Sequence, residues 1–244
     1  MSLNIIEYIS LTESELASFK TRDGKVHLFN NLVCPFGHRA LWTAVEAGVP
    51  FDMINIDLNN MPDSYVENFN RYHTVPFLLD NGYPVFESAI VAQFVDAKYN
   101  NGDLHCRDNP EQSALAQLAM AKFQAGSFYG LLRNQDMTKT QQFQNDINEA
   151  LQDVETIYRD NAAEFRSKGP YLLGDKISSA EINIMTFLFR FDFLLKHFRN
   201  FDILKDVPLL KAALDASVQR RAFQLTAREP EFYIKYFDKY ANPK

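Results

Sequence analysis

A cysteine at a predicted helix start is the strongest chemical feature of the sequence. Cys34 follows a short strand-like run at residues 26–29 and precedes Pro35. Proline suits the first helical position because the N–H that it lacks would be unpaired there. Cys34 is therefore expected to cap this helix, where free amides and the positive end of the helix dipole favour a thiolate. In such surroundings the pKa of a cysteine can fall from about 8.5 to between roughly 3.5 and 7.5.

The motif offers one thiol rather than two. Position 37, where a dithiol motif would carry its second cysteine, is glycine, and Cys106 has no spacing relation to Cys34. Cys34 is therefore predicted to be a monothiol nucleophile, with His38 and Arg39 as nearby cations that further favour the thiolate. The alternative is a buried and inert cysteine, which is a common state for this residue type.

A cysteine phosphatase also combines a cysteine with an arginine at a helix start. Here only four residues separate Cys34 from Arg39, one fewer than in the loop of that family. Pro35 also removes an amide that a phosphate-binding loop would use. The spacing and the proline both argue against a phosphatase.

The composition bounds the partners. With 244 residues, of which 46% are apolar, the chain can form one large or two ordinary globular domains. Its formal charge of −6 argues against nucleic acid or an anionic membrane as a partner, and favours small molecules. The longest apolar run, 182–195, contains two charged residues and is too short to span a bilayer. The absence of a visible secretory signal and the two cysteines predict a cytoplasmic protein.

The pattern of elements predicts two domains. Residues 24–100 read as a β-α-β-α-β-β-α unit, in which Asn81-Gly82 between apolar runs marks a hairpin. Residues 101–110 form a turn-rich linker, and residues 111–244 read as helices throughout. Residues 1–23 are an N-terminal extension, either an ordered arm or a frayed tail.

Four motifs in this order resemble those of cytosolic glutathione transferases, over residues 24 to about 240. They are Cys34-Pro35-Phe36 with Arg39, then Thr74-Val75-Pro76, then Glu87-Ser88, and finally Gly174-Asp175 with Ser178-x-Ala180-Glu181. The resemblance implies an α/β thioredoxin-like N-terminal domain followed by an all-α C-terminal domain. A cysteine in place of tyrosine or serine is similar to the omega and lambda classes, which act as thiol transferases and dehydroascorbate reductases.

The resemblance also implies roles for individual residues. Cys34 would be the catalytic nucleophile and would form a mixed disulfide with glutathione, the co-substrate. Phe36 would belong to the glutathione site. Val75 would offer its backbone N–H and C=O to the cysteinyl part of glutathione, ahead of a cis peptide bond to Pro76. The alternative at Val75-Pro76 is a trans proline that starts an ordinary strand.

Glu87 and Ser88 stand at the start of a predicted helix, whose free N–H groups can receive the α-carboxylate of the γ-glutamyl group. The resemblance implies that Ser88 adds its hydroxyl there and that Glu87 pairs with the α-amino group. Ser88 could also cap its own helix, which would not exclude binding.

Met61 departs from the omega-like pattern, which has a lysine there to bind the glycyl carboxylate of glutathione. Three readings stay open. Neutral groups could hold the glycyl end, a cation elsewhere could do so, or the preferred thiol could carry an amide at its glycyl end, as in glutathionyl-spermidine conjugates.

The second substrate is a small molecule or a glutathionylated thiol, and no metal is expected. Phe123 and Tyr129 are candidates for an acceptor pocket because the family lines that pocket from the first long helix after the linker, although most such aromatic residues are core. Whether the protein is a monomer or a homodimer stays open.

Two rivals share the predicted fold. One is a non-catalytic interaction module like those of elongation-factor subunits and fungal nitrogen regulators, against which Cys34 at the helix start argues. The other resembles the chloride intracellular channels, which enter membranes. It is disfavoured because the helix at residues 40–47 is short and carries Glu46.

Overall fold

The computed structural model describes residues 3–165 and 168–243. The chain divides into two compact units. The N-terminal unit comprises Met1–Asp103 and Arg221–Ala227, and the C-terminal unit comprises Leu104–Arg220 and Arg228–Lys244.

The N-terminal unit is a five-stranded sheet with helices. Its elements in chain order are β1 (Ile5–Glu7), a 3₁₀ turn (Tyr8–Ser10), α1 (Glu13–Phe19), β2 (Val26–Asn30), α2 (Pro35–Glu46), β3 (Asp52–Asn55), α3 (Asp63–Asn68), β4 (Phe77–Asp80), β5 (Tyr83–Phe86), α4 (Ser88–Tyr99) and, from the later segment, α10 (Arg221–Thr226). The strand order is β1-β3-β2-β4-β5. From β2 to α4 the order of elements is the predicted β-α-β-α-β-β-α, so the thioredoxin-like fold is confirmed.

Strand β2 lies in the middle of the sheet and is buried along its whole length. It pairs parallel with β3 and antiparallel with β4. Successive side chains point to opposite faces, so Leu28 packs in one apolar cluster with Leu41 of α2, while Phe29 packs in another with Tyr65 of α3. The two clusters hold the sheet between its helices.

The predicted hairpin joins β4 to β5. Asn81 and Gly82 have φ values of +50° and +76°, and Asp80 pairs with Tyr83. Two consecutive positive φ values match the right-handed twist of the flanking strands, which explains the Asn-Gly pair. A Cβ at position 82 would lie 2.7 Å from the carbonyl oxygen of Thr21, so this turn also needs the bare glycine for packing.

Residues 1–23, expected as an extension, include an ordered part of the N-terminal unit. Strand β1 pairs parallel with β3, which extends the sheet at its edge. Thr12 and Glu15 then form a capping box at the start of α1. Three residues of strand carry too little periodicity for a sequence-based assignment.

A second difference concerns the expected domain 111–244. The segment Arg221–Ala227 packs with the N-terminal unit, against α2. The ring of Phe223 meets Trp42 edge-on at 4.8 Å, and the Thr226 hydroxyl lies 2.8 Å from Nε2 of His38. The contacts lie about 180 residues away from α2 along the chain, so no local pattern indicates them.

The C-terminal unit is mostly helical, as predicted. Its elements are α5 (Pro110–Lys122), α6 (Gly126–Arg133), a 3₁₀ turn (Met137–Lys139), α7 (Thr140–Thr156), a π-helical turn (Ile157–Asn161), α8 (Ser179–Arg199), α9 (Pro208–Val218) and α11 (Pro230–Ala241). Helix α8 is the central, largely buried helix, and Ser178 and Glu181 form a capping box at its start. Among residues 3–165 and 168–243, no helix is both long and apolar enough to cross a membrane.

Candidate active site

The predicted site residues of the N-terminal unit lie close in sequence to three phenylalanines that are paired across the sheet. Phe29, Phe77 and Phe86 are paired across β2, β4 and β5. Because β4 runs antiparallel to both β2 and β5, the C-terminal ends of β2 and β5 and the N-terminal end of β4 lie at the same end of the sheet. The segments that carry Cys34, Val75-Pro76 and Glu87-Ser88 all join the strands at this end of the sheet.

Cys34 is the N-cap residue of α2, as predicted, and Pro35 occupies the first helical position. The Cys34 sulfur accepts a hydrogen bond from the backbone N–H of Gly37, with 3.4 Å between the two atoms. The side chain is half-buried, and Cys34 forms no disulfide. An N–H donor and the helix terminus both stabilise negative charge on the sulfur more than they stabilise the neutral thiol.

The two expected cations contact side chains near the site. His38 is buried, and its Nε2 lies 2.8 Å from the Thr226 hydroxyl. Arg39 donates from Nη1 to the hydroxyl of Ser88 at 3.4 Å, and its guanidinium carbon lies 5.2 Å from the ring centre of Phe36. The positive charge of Arg39 is therefore placed beside the start of α4, which sequence reasoning did not foresee.

Ser88 is the first residue of α4 and is buried, and Glu87 is the exposed N-cap residue. Within the described part of the chain, no side chain caps this helix start. The Ser88 hydroxyl accepts from Arg39 instead, so the alternative in which Ser88 only caps its own helix does not describe the structure. Glu87 has a φ of +67°, a strained backbone for a residue with a Cβ, of the kind that concentrates at functional sites.

The peptide bond between Val75 and Pro76 is cis, as the resemblance implies. The preceding loop is fixed at the carbonyl oxygen of Thr74, which accepts from the Tyr65 hydroxyl and from Nδ2 of Asn70, both at 2.8 Å. Burial raises the pKa of the Tyr65 phenol, so its hydroxyl stays protonated as a donor. Among the described residues, the backbone N–H and C=O of Val75 have no hydrogen-bond partner.

Two further predicted positions lie around the site. Phe36 is 40% exposed, which leaves part of its ring available for contact. Met61 is half-buried and packs at the margin of the cluster that contains Phe29 and Tyr65. Met61 therefore has an apolar packing role in the free protein.

Of the two aromatic candidates for an acceptor pocket, Phe123 is buried in the C-terminal unit and Tyr129 is half-buried there. Phe123 is buried between Phe128 and Phe187, with ring centres 5.6 and 5.8 Å away. Tyr129 meets Phe191 edge-on at 4.8 Å. Composition alone does not distinguish a core ring such as that of Phe123 from a ring that lines a pocket.

Sequence reasoning also missed Asn30, the last residue of β2. Its side chain is fully buried, and Nδ2 donates to the carbonyl oxygen of Gly37 at 3.1 Å. In the sequence, Asn30 could have been noticed as an amide residue that ends an otherwise mainly apolar strand. In the part of the chain that the structure describes, no group of three or more His, Cys, Asp or Glu side chains is arranged to hold a metal ion.

Comparisons with known proteins match both units. The model for the N-terminal domain of glutathione S-transferases matches residues 24–97, and a model for their C-terminal domain matches residues 123–226. The chain is 25% identical to the chloroplastic glutathione S-transferase DHAR3 of Arabidopsis thaliana over 201 residues, which cover 82% of this chain and 71% of that protein. It is 33% identical to a probable glutathione transferase of Aplysia californica over 75 residues, 31% of this chain and 80% of that protein.

The fold is shared with solved structures. The trimeric glutathione transferase TDR1 of Leishmania superposes with a TM-score of 0.79 at 24% sequence identity. The match covers 88% of this chain and 48% of the Leishmania chain, so this chain spans about half the length of that protein.

Proposed function

The chain belongs to the glutathione S-transferase family, and on that basis we propose that it is a glutathione-dependent thiol transferase and dehydroascorbate reductase of the cysteine type. The relative from Arabidopsis carries the designation DHAR, the abbreviation for dehydroascorbate reductase. The chain resembles the omega and lambda classes, which also use a cysteine at the position of Cys34. Glutathione is the co-substrate of the family.

One observation carries the proposal: the sulfur of Cys34 lies at the N-terminus of α2 and accepts from the Gly37 N–H at 3.4 Å. The thiolate, not the thiol, is the nucleophile in thiol–disulfide exchange. A helix start with a donor aimed at the sulfur raises the thiolate fraction at neutral pH. Cys34 is also half-buried rather than enclosed, so a substrate can reach it.

The start of α4 supports a γ-glutamyl subsite. The α-carboxylate of glutathione would lie against the uncapped N–H groups of α4, the Ser88 hydroxyl and the Arg39 guanidinium. Glu87, exposed at the same turn, would pair with the α-amino group. Carboxylate and amine thereby meet groups of opposite charge.

Val75 supports a cysteinyl subsite at the start of β4. Its unpaired backbone N–H and C=O can exchange two hydrogen bonds with the cysteinyl residue of glutathione, as in an added strand. A cis peptide bond joins Val75 to Pro76. Phe36, with its exposed ring, would border the bound peptide.

Met61 leaves the glycyl subsite without a charge at the position where a lysine stands in omega-like sequences. The ligand is therefore glutathione bound at that end by other groups, or a derivative whose glycyl carboxylate is an amide. Because Met61 offers no charge to pair with a glycyl carboxylate, this position gives the free acid no advantage over the amide.

The reaction runs through one thiol. The Cys34 thiolate attacks the glutathionyl sulfur of a mixed disulfide, forms Cys34–S–SG and releases the other thiol as a thiolate. A second glutathione thiolate then attacks the glutathionyl sulfur, which regenerates the Cys34 thiolate and yields oxidised glutathione. With dehydroascorbate, two glutathione molecules supply the two electrons and two protons, and the products are ascorbate and oxidised glutathione.

A cytosolic location is part of the proposal. Cys34 and Cys106 form no disulfide, as is usual in a compartment that keeps thiols reduced. The second substrate is a small molecule or a glutathionylated thiol.

A glutathione-coupled assay with hydroxyethyl disulfide and dehydroascorbate tests the proposal. The protein and its Cys34→Ser variant would be compared, with Cys106→Ser as the control for the other thiol. We expect Cys34→Ser to lose turnover by at least a thousandfold and Cys106→Ser to keep it. Undiminished turnover in Cys34→Ser would exclude this mechanism, and no turnover in the parent would favour a non-catalytic interaction module.

A further inference from the structure

Asn30 and Gly37 form a contact that constrains the chemistry next to Cys34. Asn30 ends β2, is fully buried, and donates from Nδ2 to the Gly37 carbonyl oxygen at 3.1 Å. The N–H of the same Gly37 donates to the Cys34 sulfur. Asn30 therefore binds the residue that supplies the donor to the nucleophile.

The other end of the Asn30 amide is unusual. Its Oδ1 is buried and has no hydrogen-bond partner within the described residues. Buried side-chain polar atoms nearly always have a partner, so an unpaired one calls for a specific reason. Swapping the amide ends would not solve this, because Oδ1 would then face the Gly37 carbonyl, another acceptor.

The unpaired Oδ1 occupies the space that a side chain at position 37 would need. A Cβ built on Gly37 would lie 1.9 Å from Oδ1 and 2.9 Å from Cγ of Asn30, and also 3.2 Å from the backbone oxygen of Asn31. Contacts under 3.0 Å are essentially never seen for real Cβ atoms. The backbone φ at Gly37 is not positive, so the glycine is required here by space and not by conformation.

Position 37 is where a dithiol enzyme has its second thiol, three residues after the first. In such enzymes the second cysteine attacks the sulfur of the first and expels the bound thiol. Here the amide of Asn30 fills that place.

We infer that Asn30 is a positioning residue that restricts this protein to one-thiol chemistry, because it excludes a second thiol at position 37 while its amide binds the carbonyl of Gly37, the residue whose N–H donates to Cys34. The inference rests on the proposed function for its biochemical meaning. Its structural part, the exclusion of a side chain at position 37, stands on the contact itself. The rival explanation is that Asn30 only terminates a strand, in which case position 37 tolerates a cysteine in the presence of Asn30.

Removing Asn30 and adding the second thiol should convert the mechanism. In Asn30→Ala/Gly37→Cys, the Cys34 thiolate would attack oxidised glutathione and release one glutathione thiolate. The thiolate introduced at position 37 would then attack the Cys34 sulfur and release the second. Two protein thiols are oxidised to one internal disulfide, and oxidised glutathione is reduced to two glutathione molecules.

The test compares the parent, Gly37→Cys, Asn30→Ala and Asn30→Ala/Gly37→Cys by thermal unfolding and by intact mass after oxidation. Asn30→Ala/Gly37→Ala is the control that adds a side chain at position 37 without a second thiol. Asn30→Ser/Gly37→Cys is a second double variant that removes the Asn30 amide and adds the thiol. We expect Gly37→Cys to lower the unfolding temperature by about 5 °C or more, as overpacking does, and either removal of Asn30 to restore most of it.

Oxidised glutathione should add one glutathione to the parent and to Asn30→Ala, whereas the Asn30→Ala/Gly37→Cys protein should form an internal disulfide and carry no glutathione at Cys34. Diamide, which oxidises dithiols directly, should give the same internal disulfide whether or not the protein binds glutathione. A parent that takes up no glutathione would therefore contradict the proposed function alone.

Any of three results would overturn the inference about Asn30. One is a Gly37→Cys protein that is as stable as the parent and forms the internal disulfide. The second is that neither removal of Asn30 restores stability, and the third is that the restored proteins form no internal disulfide with diamide.

Discussion

The Arg39 guanidinium donates a hydrogen bond to the Ser88 hydroxyl, with 3.4 Å between Nη1 and Oγ. The bond joins α2 to the start of α4, between two residues that lie 49 positions apart in the sequence. One helix carries the candidate nucleophile and the other carries the candidate γ-glutamyl subsite. Arg39 thus brings a permanent positive charge to a helix start that already favours anions.

Replacing Arg39 by methionine should weaken glutathione binding more than it slows the chemical step. The charge would interact with the α-carboxylate in the ground state and the transition state alike, so KM rises while kcat changes little. We expect KM for glutathione to rise about tenfold, which corresponds to about 1.4 kcal/mol. Steady-state kinetics with varied glutathione measure both constants.

The control is Arg39→Lys, which keeps the charge but loses the planar group of donors, and it should fall between the parent and Arg39→Met. An unchanged KM in Arg39→Met would show that the guanidinium is not part of the glutathione site. Circular dichroism of both variants checks that α2 still forms.

Met61 predicts weak discrimination at the glycyl end of the ligand. In isothermal titration, the parent should bind glutathione and its glycyl amide within about twofold, because no charge stands at position 61. Met61→Lys should bind glutathione up to about fivefold more tightly, as expected for a partly exposed ion pair, and the amide no better. Met61→Gln, which adds polarity without charge, is the matched control.

A marked preference of the parent for the free acid would contradict this prediction. It would place a cation elsewhere against the glycyl carboxylate and remove the argument for an amidated ligand.

The capping box at α8 should matter for stability and not for Cys34. Ser178→Ala should lower the free energy of unfolding by about 1 kcal/mol. Glu181→Gln should cost more, because the buried Glu181 carboxylate also accepts from the Tyr158 hydroxyl at 2.6 Å and from the Leu172 N–H at 2.8 Å. Urea unfolding measures the loss of stability in both variants, and the rate of Cys34 alkylation by iodoacetamide should stay the same. Loss of alkylation rate in proportion to stability would count against this separation.

The features of the fold that can be predicted from the sequence are those set by interactions between residues close together in the chain. Cys34 and Pro35 predict a helix start because capping involves neighbouring residues, and Asn81-Gly82 predicts a turn because both residues tolerate positive φ. The structure confirms each of these, together with the order of elements.

The contacts that complete the candidate site are not local. Arg39 reaches Ser88 only after the sheet has brought α2 and α4 together, and Asn30 meets Gly37 only after the chain has turned from β2 into α2. His38 meets Thr226 across 188 residues. Composition also cannot tell a buried ring such as Phe123 from one that lines a pocket, because both are apolar residues.

The most direct test of the account is the mass of the protein after one half-reaction. The reduced protein would be mixed with an excess of a glutathionylated peptide, quenched with acid, and analysed as intact protein and as proteolytic fragments. We predict one added glutathione per chain, located on Cys34, absent in Cys34→Ser and removed by a second addition of reduced glutathione. Glutathione on Cys106 instead, or none on a folded and reduced protein, would contradict the claim that Cys34 carries the reaction.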